Sequence, residues 1–188
     1  MNTYILLLRG INVGGKNKVS MATLKERLTE LGFSNVSTYI ASGNVILESD
    51  KSSTDVQTEI EQMLPSTFKL DSELVKVLVL SRKQLQKVVD TKPKGFGERP
   101  ELYHSDAIFL MGIGIDEALP VFNPREGVDK IWPGSGVIYS QRLSAERTKS
   151  RLGRIVGTPP YKSMTIRSWN TTTKLLEILK KLDAAKKA

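Results

Sequence analysis

Val36-Ser37-Thr38-Tyr39-Ile40-Ala41-Ser42-Gly43-Asn44-Val45-Ile46-Leu47 is the stretch whose reading decides the fold. Val36 to Ile40 and Val45 to Leu47 are strand-like, and Ala41-Ser42-Gly43-Asn44 between them forms a tight hairpin connection. Strands joined so closely run antiparallel, because a parallel pair needs a long crossover. Upstream, Tyr4 to Leu8 is short and continuously apolar, the pattern of a central strand buried on both faces. Between it and the hairpin, Met21, Leu24, Leu28 and Leu31 recur at helical spacing, with Ser20 as the expected N-cap and Gly32 where a left-handed C-cap belongs. Downstream, Thr54 and Gln57 predict a capping box ahead of Val56, Ile60, Met63 and Leu64, with Pro65 as the stop. Val75 to Leu80 then completes a β-α-β-β-α-β order.

A further helix is expected after the capping pair Ser81 and Gln84, followed by Lys92-Pro93-Lys94-Gly95-Phe96-Gly97-Glu98-Arg99-Pro100, a run rich in breakers and charge. This run reads as a connection, with Phe96 as an anchor packed on the body rather than a ligand-stacking ring. Beyond it the same order returns. Ala107 to Met111 reads as a strand, Asp116 to Phe122 as a short helix, Val128 to Trp132 with Val137 to Tyr139 as a second hairpin, Ser144 to Val156 as a basic helix and Met164 to Trp169 as a strand. Ser135-Gly136-Val137-Ile138 resembles Ser42-Gly43-Asn44-Val45-Ile46, in keeping with an internal duplication. Asn170 is the expected N-cap of a last helix carrying Leu175, Ile178, Leu179 and Leu182 inward. The expected fold is therefore α+β: two tandem ferredoxin-like halves packed together, each an antiparallel sheet with helices on one face, plus a C-terminal helix. The first half covers residues 1–91, the connection 92–103 and the second half 104–188.

Composition sets the broad class. A chain of 188 residues with 39% hydrophobic and 26% charged residues reads as an ordinary globular protein. No apolar run approaches membrane-spanning length, and the N-terminal run lacks the flanks of a signal peptide, so a cytoplasmic protein is expected. Cysteine is absent, which excludes disulfides, thiol catalysis and cysteine-ligated metal. The net charge of +8 suits an anionic partner such as nucleic acid or a phosphate-bearing small molecule. Part of the surplus, Lys180, Lys181, Lys186 and Lys187, reads as a solvated helix end that complements its own dipole. Another part, Arg147, Arg151 and Arg154, falls on one face of the expected basic helix, either a solvated face or a nucleic-acid-binding stripe.

One loop concentrates glycine and positive charge: Arg9-Gly10-Ile11-Asn12-Val13-Gly14-Gly15-Lys16-Asn17-Lys18. Its glycines permit backbone conformations closed to other residues, and its cations lie where N–H groups can converge on an anion. Gly10, Gly15 and Lys16 nearly satisfy the nucleotide-binding pattern G-x-x-x-x-G-K-[ST], but Asn17 replaces the magnesium-binding hydroxyl. The helical period also starts only at Met21, and the sheet is antiparallel. These features favour some other anion or polar-ligand site, or a turn without ligand, over a nucleotide-binding phosphate loop.

Tyr4-Ile5-Leu6-Leu7-Leu8-Arg9-Gly10-Ile11-Asn12-Val13-Gly14-Gly15-Lys16, together with Thr38-Tyr39-Ile40-Ala41-Ser42-Gly43-Asn44-Val45, closely resembles a bacterial family known only as domain of unknown function 1697. Tyr161-Lys162-Ser163-Met164-Thr165-Ile166-Arg167-Ser168-Trp169-Asn170-Thr171 is similar to that family's other signature, in which asparagine is more usual where Ser168 stands here. The resemblance implies the paired ferredoxin-like fold and a soluble bacterial protein. It supplies no activity, ligand or catalytic residue.

Three polar groups are candidates for a ligand site: Arg9, Gly10, Asn12, Gly14, Gly15, Lys16 and Lys18 on the loop, Ser42 and Asn44 at the hairpin, and Arg167, Trp169 and Asn170 near the end. They offer hydrogen-bond donors for phosphate or a base edge, and an indole face for stacking. Each has a structural alternative, with Asn44 holding a left-handed turn, Asn170 capping a helix and Trp169 in the core. His104 is the single histidine, the acids are dispersed, and no catalytic relay or metal cluster is visible. No cofactor is expected. Binding of nucleic acid or a phosphate-bearing ligand is the leading expectation, beside a small-molecule enzyme with a pocket between the halves and a partner-binding module without ligand.

Overall fold

The computed structural model describes residues 1–71 and 75–187, the side chains of residues 186 and 187 excepted. The side chains of two of the tail lysines named above, Lys186 and Lys187, thus lie outside the described residues. The chain divides into two compact units, Met1–Leu85 together with Leu179–Ala188, and Gln86–Ile178.

In the first unit the order is β1 (Asn2–Arg9), α1 (Met21–Glu30), β2 (Ser34–Tyr39), β3 (Asn44–Ser49), α2 (Ser53–Thr67) and β4 (Lys76–Ser81), after which α3 (Arg82–Asp90) begins. The sheet runs β2-β3-β1-β4 with every neighbouring pair antiparallel. Tyr4, Leu6 and Leu8 of β1 join Leu24 and Leu28 of α1 and Val56, Ile60 and Leu64 of α2 in one apolar core. Ile5 and Leu7 point to the opposite face and are equally buried, which explains the unbroken apolar run. Ser20 caps α1 by accepting the Thr23 N–H, and Gly32 closes it at φ +87°. The Ser81 and Gln84 pair also closes reciprocally at the start of α3.

Two expectations here need correction. α2 is capped by Ser52, whose hydroxyl accepts the Asp55 N–H, rather than by Thr54 and Gln57. Pro65 lies inside α2, which continues to Thr67. So near a C-terminus the missing proline N–H removes a single bond, while the burial of Met63 and Leu64 holds the last turn.

The second unit repeats the strand order with smaller helices. It contains β5 (Tyr103–Leu110), α4 (Ile115–Ala118) with a 3₁₀ turn at Leu119–Val121, β6 (Asp129–Pro133), β7 (Val137–Leu143), 3₁₀ turns at Ser144–Lys149, Leu152–Gly157 and Pro159–Ser163, and β8 (Met164–Ser168). Its sheet runs β6-β7-β5-β8, again antiparallel throughout. Finally α5 (Trp169–Lys187) closes the chain. Both sheets have the ferredoxin-like strand order, so the protein is α+β with two tandem ferredoxin-like halves and a C-terminal helix.

The expected basic helix over Ser144–Val156 is not an α-helix. It is two 3₁₀ turns interrupted at Ser150 and Arg151, with Glu146 outside helical geometry. The cause is long-range. Asp129 Oδ2 accepts the backbone N–H of Arg151 at 2.8 Å and that of Arg125 at 3.0 Å, and Ser150 Oγ accepts the Leu152 N–H. Side-chain acceptors thereby take donors that a helix ladder would use. Asn170 is not the cap of α5 either. Ser168, one position before the helix, accepts the Thr171 N–H at 3.2 Å and so performs that role.

Phe96 is fully buried, with its ring edge-on to Trp132, Tyr139 and Trp169 at centroid distances of 5.9, 5.2 and 5.0 Å. It anchors its loop as expected, and edge-to-face contacts of this kind are the favoured aromatic geometry.

Candidate functional site

The connection from β1 to α1, Gly10 to Ser20, is a built structure rather than a slack loop. At its tip the Lys16 N–H bonds to the Val13 carbonyl at 3.0 Å, with Gly14 and Gly15 between them at φ +58° and +75°. Two consecutive central residues at positive φ mark a type I′ turn, the tight turn of a two-residue hairpin. Val13 and Lys16 pair as an isolated antiparallel bridge across it. Lys16 therefore closes a hairpin instead of opening a helix, which separates this loop from nucleotide-binding loops of the resembling pattern.

Two asparagines hold the base of the loop. Asn12, at φ +53°, donates its amide to the carbonyls of Val19 at 2.9 Å and Ala41 at 2.8 Å, and its Oδ1 accepts the Val19 N–H at 2.8 Å. Both amide hydrogens are engaged in the fold, so Asn12 acts as a clip. Asn17, at φ +48° and buried, donates to the Gly10 carbonyl at 2.9 Å and accepts the Asp71 N–H at 2.7 Å. Asparagine tolerates the left-handed region, which is why both clips can be non-glycine. Nothing in the sequence points to this role for Asn17, whose only local signal is a polar amide where the nucleotide-binding pattern has a hydroxyl.

The hairpin turn between β2 and β3 lies directly beside this loop. Gly43, at φ +83°, faces Ile11 so closely that a Cβ there would lie 2.7 Å from Ile11 Cδ1 and 2.8 Å from Leu8 Cβ. Asn44 is fully buried, and its amide donates to the Tyr39 carbonyl and to Ser42 Oγ, each at 3.0 Å. The left-handed residues of the turn are Ile40 and Gly43, so Asn44 does not have the conformation expected of it. Arg9, at the end of β1, is buried on the sheet face shared with Leu7 and Asn44. Lys16, Lys18 and Ser42 are exposed.

The remaining candidates belong to the second unit. Arg167 on β8 is buried, donating to Thr165 Oγ1 at 3.1 Å and to the Ile166 carbonyl at 2.8 Å. Burial lowers its pKa to about 10, so it remains a cation at neutral pH. Trp169 is buried in the aromatic cluster, its indole lying on Gly97, while Asn170 is exposed. Arg147 and Arg154 are exposed and Arg151 is half-buried. His104 Nε2 lies 3.1 Å from Asp106 Oδ1, and among the described residues no group of histidines and acids could hold a metal ion. Burial raises the Asp106 carboxyl against the lowering influence of His104 and Arg142. Among the described residues, no helix is long and apolar enough to cross a membrane.

Fold and loop together define a class: two four-stranded ferredoxin-like sheets in tandem, with a clipped, basic hairpin loop after the first strand. The chain belongs to the family described as "Protein of unknown function (DUF1697)", whose model matches residues 1–139. Among solved structures it is similar to the conserved bacterial protein SP0830 from Streptococcus pneumoniae, with a TM-score of 0.81 and 27% identity over 95% of this chain and 98% of that one. No curated protein matches the chain.

Proposed function

We propose that this protein binds nucleic acid, with the Gly10–Ser20 loop as its contact surface. One observation carries the reading: the fold does not require this loop. The second unit joins β5 to α4 through Met111 to Gly114 alone, on a sheet of the same strand order. The longer connection in the first unit is nonetheless rigidly built, and it presents Lys16 and Lys18 to solvent. An exposed cationic projection on a chain of net charge +8 suits an extended polyanion better than a small enclosed ligand. Arg147 and Arg154 offer further phosphate contacts in the second unit. In this reading the protein works in the cytoplasm.

We read the halves at residues 1–91 and 104–188, whose bounds differ from those of the two compact units, as copies of one βαββαβ module. Their hairpins support this. Leu8 N–H bonds to the Gly43 carbonyl at 2.8 Å, and Leu110 N–H to the Gly136 carbonyl at 3.0 Å, each glycine being at positive φ.

The test is a binding titration with labelled DNA and RNA over a range of salt. Affinity should fall with a logarithmic slope of about −0.9 for each duplex phosphate neutralised and about −0.7 for each single-strand phosphate. Absence of binding at low salt would reject the reading. Stabilisation by a nucleotide or inorganic phosphate, without oligonucleotide binding, would replace the polyanion with a small phosphate ligand.

A further inference from the structure

Two exposed apolar residues, Val13 and Ile40, lie in neighbouring turns that one hydrogen bond ties together. Asn12 of the clipped loop donates to the carbonyl of Ala41 in the neighbouring hairpin turn, and Val13 and Ile40 are the adjacent residues on either side of that bond. Val13 is 68% exposed and pairs across its turn with the exposed Lys16, and Ile40 is 50% exposed. Ile40 also holds φ +50°, a conformation that a β-branched residue rarely adopts. Folding alone does not favour an isoleucine there. Asparagine or glycine would take the same backbone with less strain, and a polar side chain would suit the solvent.

We infer that Val13 and Ile40 form an apolar platform for unpaired bases, and that the protein prefers single-stranded nucleic acid to duplex. The inference rests on the nucleic-acid reading above and specifies its substrate class. Lys16 and Lys18 neutralise phosphates in either form, because both expose a charged backbone. Aliphatic side chains gain only where they meet apolar surface, and the broadest such surface in nucleic acid is the base face, larger than the thymine methyl groups and sugar edges that a duplex leaves exposed. A regular duplex hides base faces in its stack, whereas a single strand can splay them out. Both platform residues sit on backbone held by the Asn12 clip and by the close approach of Gly43 to Ile11, so little ordering is needed on binding.

The experiment uses the full chain, a fluorescein-labelled DNA strand, the blunt duplex made from it, and vesicles of phosphatidylserine with phosphatidylcholine. The variant is Val13→Ser with Ile40→Asn, since asparagine accepts the left-handed backbone and keeps the hairpin folded. Its melting temperature, matched to the parent, is the folding control. If the double variant melts early, Ile40→Asn alone is used. The parent should bind the strand more tightly than the duplex, and the variant should lose that preference by about tenfold, the scale of partly burying one aliphatic side chain. Equal or better duplex binding by the parent, or an unchanged preference in the variant, overturns the platform while leaving the nucleic-acid reading in place. Failure to bind either oligonucleotide removes both together. Capture by the vesicles in place of oligonucleotides overturns the inference in favour of a lipid surface.

Discussion

The side chain of Asn12 reaches the main-chain carbonyl of Ala41 across 2.8 Å and so ties the loop after β1 to the turn between β2 and β3. The same side chain closes the loop on itself through both polar atoms of Val19. Replacing Asn12 with alanine removes all three bonds and leaves a non-glycine residue at positive φ. The expected loss is about 1–3 kcal/mol, read from urea denaturation. A variant as stable as the parent would show that the clip does not hold the loop.

Glycines of the site should separate by neighbourhood. Gly14 and Gly15 have open space where a Cβ would stand, so alanine there costs only the backbone conformation, about 1 kcal/mol. Gly43 has the same conformational demand plus the sub-contact distances to Ile11 and Leu8. Gly43→Ala should therefore destabilise by about 1–3 kcal/mol more, the range for overpacking. Equal melting temperatures for Gly15→Ala and Gly43→Ala would contradict the close approach.

Two aspartates should make acid stability respond in opposite senses. Burial pushes the Asp129 carboxyl up, but hydrogen bonds from the backbone N–H groups of Arg151 and Arg125 outweigh it, and its pKa ends below the ordinary value. Its stabilisation is thus present above an unfolded pKa of about 3.9 and is lost as pH falls through the lower folded value. Asp106 is raised by burial, so its ionisation costs stability as pH climbs from the unfolded value through the folded one. Asp129→Asn should flatten the acid limb of a stability profile, and Asp106→Asn should remove a loss on the rising side. Profiles that superimpose on the parent's would remove these groups from the account.

Lys16→Ala with Lys18→Ala should leave the melting temperature close to the parent's, since both side chains are exposed. Nucleic-acid affinity should fall, and the salt slope should become shallower by about one for each phosphate contact removed. Unchanged affinity in the folded variant would shift the contact away from the loop.

Fragments 1–91 and 104–188, left when the connection between them is removed, are not expected to fold as two independent domains. The first unit includes Leu179–Ala188 from the far end of the chain, and Arg82 pairs with Asp183 within it. A piece ending at residue 91 lacks that segment. A piece starting at residue 104 lacks Phe96, around which Trp132, Tyr139 and Trp169 are gathered. Cooperative unfolding of either fragment alone would count against this arrangement.

Local chemistry was legible in the sequence where a few neighbouring residues decide the outcome. The apolar run Tyr4 to Leu8, the helical period from Met21, the Ser20 cap, the Gly32 stop and the glycine hairpins all follow from burial pattern, capping and left-handed backbone. The two ferredoxin-like halves follow from these in turn. The sequence also marked the Gly10–Ser20 loop as special through its glycines and cations. Tertiary structure alone decided matters set by residues far apart in the chain. Asp129 draws the N–H of Arg151 out of any helix, which dissolves the regular face expected of Arg147, Arg151 and Arg154. Asn12 becomes a clip because Ala41 lies beside it, and Gly43 is required because Ile11 does. Periodicity records which side of an element is apolar. It does not record which distant carbonyl or carboxylate will stand next to a given N–H, and those contacts shape the loop and the turn of the candidate site.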